Sequence, residues 1–344
     1  MNFNLDIKEI KSGFKLHKEV KKIKLPGTDI EVSPLGLGVW QFAGGHGLNK
    51  YIWSNEIPEE TRNDIVKAAL DGGINWFDTA EAYGGGRSEK NLASALKANG
   101  VKDEEVFIAD KWFPVMKFAG SIKRTIHKRL KALDGYSISL HQIHQPYSLS
   151  TTRAQMNAMA DLVEEGKIQS VGVSNFSKKK MIKAYDALKD RGLSLVSNQV
   201  HYSLLTRDIE KNGILDTAKE LGIKIISWSP LEQGTLTGKY HKDPSLLKNL
   251  TFIRRRIMPN IKKKTKKSKV LMEAIEEIAK AHEVTATQVA LNWLINFHGD
   301  TVLAIPGASK VRHVEQNVGA MYFELSKDEM DRIDELSRPI NKMK

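Results

Sequence analysis

Four side chains in this sequence are of the types needed to reduce a carbonyl group: Asp78, Tyr83, Lys111 and His144. Such a reduction consumes a hydride and a proton. A tyrosine can give the proton, but its ordinary pKa of about 10 is high for proton transfer near neutrality. A neighbouring ammonium stabilises phenolate, so Lys111 is expected to bring the Tyr83 pKa down. A buried lysine tends to lose its own charge, and Asp78 supplies the carboxylate that would keep it. His144 adds a second donor to orient and polarise the carbonyl oxygen. Each residue alone has a plainer explanation. A strand-end Asp forms turns, a Tyr before Gly84-Gly85-Gly86 packs, a Lys sits at a surface, and a His satisfies a core hydrogen bond. Ile108 and Trp112 argue for burial around Lys111. The order of the four on successive elements is what carries the chemistry.

Those elements are short apolar runs. Asp78 ends INWFD, Lys111 ends VFIADK and His144 ends SISLHQIH, with Tyr83 in the loop after Asp78. VSPLGLG precedes them, after a hairpin expected over 25–32 with its turn at Pro26-Gly27. QSVGVSN, LSLVSNQV, IKIISWSP and TVLAIPG follow. Segments of helical period separate the runs, over 60–70, 88–96, 122–133, 153–163, 179–188, 208–221 and 270–281. Eight strands alternating with helices predict an α/β fold with a parallel sheet. An open doubly wound sheet would normally carry three glycines after its first strand. Here the run is Gly36-Leu37-Gly38-Val39-Trp40-Gln41, with Gln41 at the third place. The reading is therefore a closed (β/α)8 TIM barrel, in which functional residues gather at the C-terminal strand ends. The barrel is placed over 23–338, after an N-terminal extension over 1–22 and before a tail over 339–344. The extra length lies in that extension, in a long loop over 232–269 after the seventh strand, and in a helix near 327–336.

Composition excludes other chemistry. The 344 residues include no cysteine, so disulfides, thiolate nucleophiles and cysteine zinc sites are impossible, and a cytoplasmic location is expected. The first 22 residues lack a signal-peptide core, and no apolar run approaches the ~18 residues of a membrane span. His141 and His144 stand three apart on a strand, so they point to opposite faces, and no metal is expected. The net charge of +12 is local: the stretch 248–269 holds ten basic residues and no acid, and the remainder carries +2.

These residues resemble the aldo-keto reductases. The likeness runs from about Ile23 to Leu336 through GLGVWQF, GINWFDTAEAYGGGRSE, DKW, QIHQP, GVSNF, NQV, SWSPL and IPGAS. Such proteins are (β/α)8 barrels that bind NADPH without a dinucleotide-binding sheet. The resemblance implies a catalytic tetrad of Asp78, Tyr83, Lys111 and His144, with Tyr83 as proton donor. It implies nicotinamide contacts from Ser174, Asn175 and Gln199, with Trp228 stacked on the ring. Ser229, Leu231, Gly234, Thr237 and Lys239 match pyrophosphate-side contacts. Gly307, Ser309 and Lys310 would approach the adenosine phosphate, where a helix starting near Lys310 also offers free N–H groups. Ser309 and Lys310 would hold a 2′-phosphate, while Gln316 and Asn317 match adenine contacts. NADPH is expected with NADH less favoured, a preference that His313 weakens without removing, since many relatives have Arg or Gln at its place.

The expected activity is NADPH-dependent reduction of an aldehyde or ketone. The alternative is a nucleotide-sensing regulatory subunit like the potassium-channel β-subunits of the same superfamily, which commonly lack the His that His144 provides. Trp40, Trp53 and Trp112, with Phe113 and Tyr147, are candidate walls for a small carbonyl substrate. The basic run has three readings: a belt over the cofactor, a solvated surface, or a site for an acidic partner such as RNA or an anionic membrane. Only Phe252 and Tyr240 lie near it, so specific single-strand binding is not expected.

Overall fold

The computed structural model describes residues 19–44, 56–248 and 261–342, and counts of elements refer to these. A hairpin comes first, with β1 (Ile23–Lys24) antiparallel to β2 (Glu31–Val32). Its turn uses Gly27 at φ 66°. Eight parallel strands then hydrogen-bond in sequence order. They are β3 (Leu37–Gly38), β4 (Trp76–Asp78), β5 (Phe107–Trp112), β6 (Leu140–Ile143), β7 (Val171–Ser174), β8 (Leu195–His201), β9 (Lys224–Trp228) and β10 (Val302–Ala304). Parallel bridges from Leu35 to Ala304 and from Gly38 to Gly307 join the last strand to the first. The TIM barrel is thereby closed.

The paired glycines that imitate half of a dinucleotide fingerprint have a packing role. A Cβ on Gly36 would fall 2.4 Å from the Trp76 indole, and one on Gly38 would fall 3.1 Å from the Ile305 carbonyl oxygen. Close backbone approach at the closing seam excludes side chains there.

Strand alternation sorts the side chains. Trp76, Ala109, Leu140, Ile226 and Leu303 form an apolar cluster inside the barrel, together with Ile23, Leu25, Ile30 and Val32 of the hairpin. The hairpin thus closes one end. Residues of the opposite parity, such as Phe77, Ile108, Trp112 and Ile143, belong to a second cluster between sheet and helices.

Helices α1 (Glu59–Asp71), α2 (Arg87–Ala98), α3 (Gly120–Ala132), α4 (Thr152–Glu164) and α5 (Lys178–Lys189) fall within two residues of their expected ends. The segment 208–221 departs from expectation. Gly213 at φ 80° splits it into a 3-10 turn, Asp208–Glu210, and α6 (Ile214–Leu221). After β9 come the short α7 (Lys239–Lys242), α8 (Ile261–Lys267) and α9 (Lys269–Ala281). Helix α10 (Ala286–Asn296) was not anticipated. Nine of its eleven residues are buried, so it has no polar stripe for periodicity to reveal. Its cap was legible: Thr285 and Gln288 form a reciprocal capping box, as Ser326 and Glu329 do before α12 (Lys327–Ser337). Helix α11 (Val311–Gly319) lies between them.

Candidate active site

Two residues beyond the apolar layer, the same inward parity brings polar side chains to the C-terminal rim. Trp76 is followed by Asp78, Ala109 by Lys111, Leu140 by Gln142 and Ile226 by Trp228. Asp78 pairs in register with Ala109, and Lys111 with Gln142. His144 continues the parity of β6 just past its end. The neighbouring parity sends His141 outward, where its Nδ1 lies 3.8 Å from Asp110. The two histidines therefore occupy opposite sides of the strand.

Lys111 and Asp78 are almost fully buried. The ammonium donates to Asp78 Oδ1 at 2.5 Å and to the Thr79 carbonyl at 2.7 Å. Gln199 Nε2 donates to the other Asp78 oxygen at 2.7 Å. Lys111 Nζ lies 5.0 Å from the Tyr83 ring centroid. Tyr83 is set by three consecutive left-handed glycines, Gly84, Gly85 and Gly86, at φ 71°, 63° and 98°. Its ring stacks on Trp40 at 5.6 Å and meets His144 edge-on at 5.6 Å.

Burial works against the Lys111 charge, but Asp78 and then Tyr83 outweigh it and raise the pKa. For Tyr83 the outcome differs from expectation. Burial pushes the phenol up, and the opposing pull of Lys111 is smaller, so the net shift is upward. The phenol remains protonated, which is the donating form. Burial, then the Lys111 charge, lowers His144 to about 3. It is a neutral ring at pH 7, and its buried Nδ1 has no partner.

A cavity of about 1190 Å³ opens above this layer. That exceeds the ~300–1,000 Å³ of ordinary small-molecule pockets. Asp78, Tyr83, His144, Ser174, Asn175, Gln199 and Trp228 line one part, with Trp40. The Ser174 hydroxyl donates to the Gln199 carbonyl at 2.9 Å, and the Asn175 side-chain oxygen accepts from Trp228 Nε1 at 3.1 Å. Ser229, Leu231, Gly234, Thr237 and Lys239 continue the lining, followed by Gly307, His313, Gln316 and Asn317. A Cβ on Gly234 would meet Lys239 at 2.5 Å, and one on Gly307 would meet Gln41 at 2.3 Å. Gln41 Oε1 and Asn317 Nδ2 are buried without hydrogen-bond partners. Unpartnered polar atoms in the wall of a large, partly cationic cavity fit a dinucleotide phosphate. Ser174, Asn175, Gln199 and Trp228 would hold its nicotinamide half, and Lys239, Arg312, Gln316 and Asn317 its adenosine half.

Three expected site residues are placed elsewhere. Trp112 has the parity opposite to Lys111 and is buried between sheet and helices, outside the cavity lining. Ser309 and Lys310 are exposed and do not line the cavity either. Lys310 is the extended cap of α11, and Arg312, His313 and Gln316 take its cavity face. Trp53 lies outside the described residues, as do Phe252 and the three arginines at 254–256. None of the described members of the basic run lines the cavity; Lys239, Lys242, Lys280 and Arg312 supply its cations. Arg312 and Lys280 were missed because helix-surface cations carry no local signal. Glu232 was missed as well, although it is the lone acid between Glu220 and Asp243.

A buried Lys–Asp pair, a protonated Tyr and a neutral His meet at the rim of a closed barrel, and comparison with known proteins identifies the family of that barrel. A family model described as Aldo/keto reductase family matches residues 34–338. Chloroplastic pyridoxal reductase of Arabidopsis thaliana is 34% identical over 329 residues, covering 91% of this chain and 85% of that protein. The glycerol dehydrogenase of Gluconobacter oxydans superposes with a TM-score of 0.77 at 27% identity, covering 92% of this chain and 94% of that one. An aldo/keto reductase of Klebsiella pneumoniae, crystallised with NADP and acetate, gives a TM-score of 0.70 at 25% identity, covering 92% and 95%. Barrel, rim constellation and sequence match together place this oxidoreductase chain in the aldo/keto reductase family.

Proposed function

We propose that the protein is an NADPH-dependent reductase of aldehydes or ketones, with Tyr83 as the proton donor. The observation that carries this reading is the buried Lys111–Asp78 pair beneath a protonated Tyr83. Bound NADPH would supply the hydride. Tyr83 donates its hydrogen bond to the carbonyl oxygen and then its proton. The Lys111 ammonium stabilises the phenolate left behind, and Asp78, held by Gln199, keeps that ammonium charged and oriented. His144 offers a neutral N–H to the same oxygen, drawing charge off the carbonyl carbon. The Klebsiella relative was crystallised with NADP, and the cations at the far end of the groove suit a dinucleotide carrying an extra phosphate.

An aromatic or apolar aldehyde is the proposed substrate class. Among the described residues seven large apolar side chains are exposed, and five belong to two adjoining loops. Val115, Met116, Phe118, Tyr147 and Leu149 are 40–80% exposed and stand outside the cavity lining, on loops beside its His144 side. Leu149 N donates to the Lys117 carbonyl at 3.0 Å, tying the loops together. Phe113 at their root meets the His144 ring at 5.8 Å. The Arabidopsis relative is named for pyridoxal, an aromatic aldehyde. The test compares benzaldehyde with glyceraldehyde under saturating NADPH. The expected kcat/KM is about ten-fold higher for benzaldehyde, from added apolar contact. Equal values would remove the substrate class, and turnover of neither would remove the reductase.

A further inference from the structure

The loop after β9 holds a second buried carboxylate, outside the tetrad. Glu232 is 7% exposed. Its Oε1 accepts from Ser203 Oγ at 2.7 Å and Thr206 Oγ1 at 2.5 Å, and lies 3.1 Å from His201 Nε2. Its Oε2 accepts from Lys264 Nζ at 2.8 Å. Lys264 belongs to α8, inside the basic run, and also donates to Thr206. Burial raises the Glu232 pKa, but His201 and then Lys264 outweigh it and bring it down to about 2.

His201 approaches this carboxylate without hydrogen-bond geometry and backs the cavity wall through Trp228. The His201 ring lies parallel to Trp228, with centroids 4.2 Å apart and planes 13° apart. One face of the indole is thus covered while the residue still lines the cavity. The loop itself runs through left-handed backbone at Ser229, Glu232, Gln233 and Gly234, with φ of 52°, 48°, 52° and 95°. Three of these are not glycine, a conformation that persists only where surrounding contacts over-determine it. Ser229, Gln233 and Gly234 line the cavity from this turn.

We propose that Glu232 is a positioning residue for the dinucleotide site, fixing both the His201–Trp228 stack and the 229–234 turn, and that Lys264 acts through it. This rests on the reductase reading, since it takes Trp228 as the surface on which the nicotinamide lies. The basic run then has a defined role at one position: its Lys264 anchors the loop from behind, without touching cofactor.

The test is a titration of the full-length protein with NADPH, read by tryptophan fluorescence, for Glu232→Gln, Lys264→Met, Lys264→Arg and the Glu232→Gln/Lys264→Met pair. Thermal unfolding of each variant accompanies it. Glu232→Gln and Lys264→Met are each expected to raise the NADPH Kd about ten-fold or more, the scale of a lost charge-assisted hydrogen bond. The double variant should lose no more than the weaker-binding single, because both remove one interaction. Lys264→Arg should stay within about three-fold of wild type, since it keeps the charge and the donors. The kcat at saturating NADPH should change far less than Kd. An unchanged Kd in folded Glu232→Gln, with only a lower Tm, would reduce Glu232 to a stabilising role and overturn the proposal. Losses that multiply in the double variant would overturn it too. Should Glu232→Gln not fold, the Lys264→Met and Lys264→Arg comparison decides alone. Failure of the wild type to bind NADPH would instead strike the reductase reading, and this proposal with it.

Discussion

Asp78 and Glu232 are both buried carboxylates bonded to a lysine, yet their environments pull them in opposite directions. Asp78 accepts from one lysine and one amide, and burial pushes its pKa up despite them. Glu232 is surrounded by His201, Lys264, Ser203 and Thr206, and its pKa falls to about 2. Burial outweighs the lysine and amides around Asp78, whereas His201 and Lys264 outweigh it at Glu232. Asp78 sits in the strand-built floor, where one ion pair is sealed under Tyr83. Glu232 sits in the loop-built rim, where a carboxylate organises backbone that strands do not reach. The floor is suited to chemistry and the rim to holding a ligand.

Stripping the cation from the floor should separate the two acids most strongly. Lys111→Met leaves the Asp78 carboxylate buried without its partner, which costs ~3–5 kcal/mol when a buried pair is broken. Chemical denaturation should show a loss of that size, and activity should vanish with it. Lys264 is half-buried and its Glu232 partner keeps other donors, so Lys264→Met should cost well under half as much. Equal losses would mean that floor and rim are held alike. The smallest expected effect is a flat response to pH. With His144 lowered to about 3, it is already neutral at pH 5, while Tyr83, raised above its ordinary value by burial, stays protonated throughout the neutral range. Reduction needs both forms, so it is fully present over that range and declines only as pH rises through the Tyr83 pKa. A kcat/KM profile for aldehyde reduction should therefore lack an inflection near the ordinary His value of about 6.5. An inflection there would mean that His144 titrates in the site.

The floor was legible in the sequence because strands impose a period of two. Once Trp76 faces in, Asp78 does as well, and the same count brings Lys111 and Trp228 to the rim. That rule also accounts for an error: Trp112, adjacent to Lys111, must face the helices. Expecting a lowered Tyr83 pKa failed for another reason. A neighbouring charge can be read from the order of residues, but the degree of burial opposing it cannot. The rim was less legible. Contacts of Glu232 with His201 and Lys264 span 31 and 32 residues and depend on left-handed turns at non-glycine positions, which nothing in the local sequence marks. Ser309 and Lys310 were expected in the groove; they are exposed just before the helix starting at Val311, whose Arg312 lines the cavity.

In the proposed reaction Tyr83 protonates the carbonyl as hydride arrives from bound nucleotide. The most direct test is a single-turnover reaction of benzaldehyde with NADPH deuterated at the transferable position, in wild type and in Tyr83→Phe. Wild type should place one deuterium on the carbonyl carbon of the product alcohol. Tyr83→Phe should do so ~10²–10⁴ times more slowly, the usual cost of losing a general acid, with the NADPH Kd changed by no more than about two-fold. Equal rates in the two proteins, or parallel loss of binding and turnover, would contradict the assignment of Tyr83.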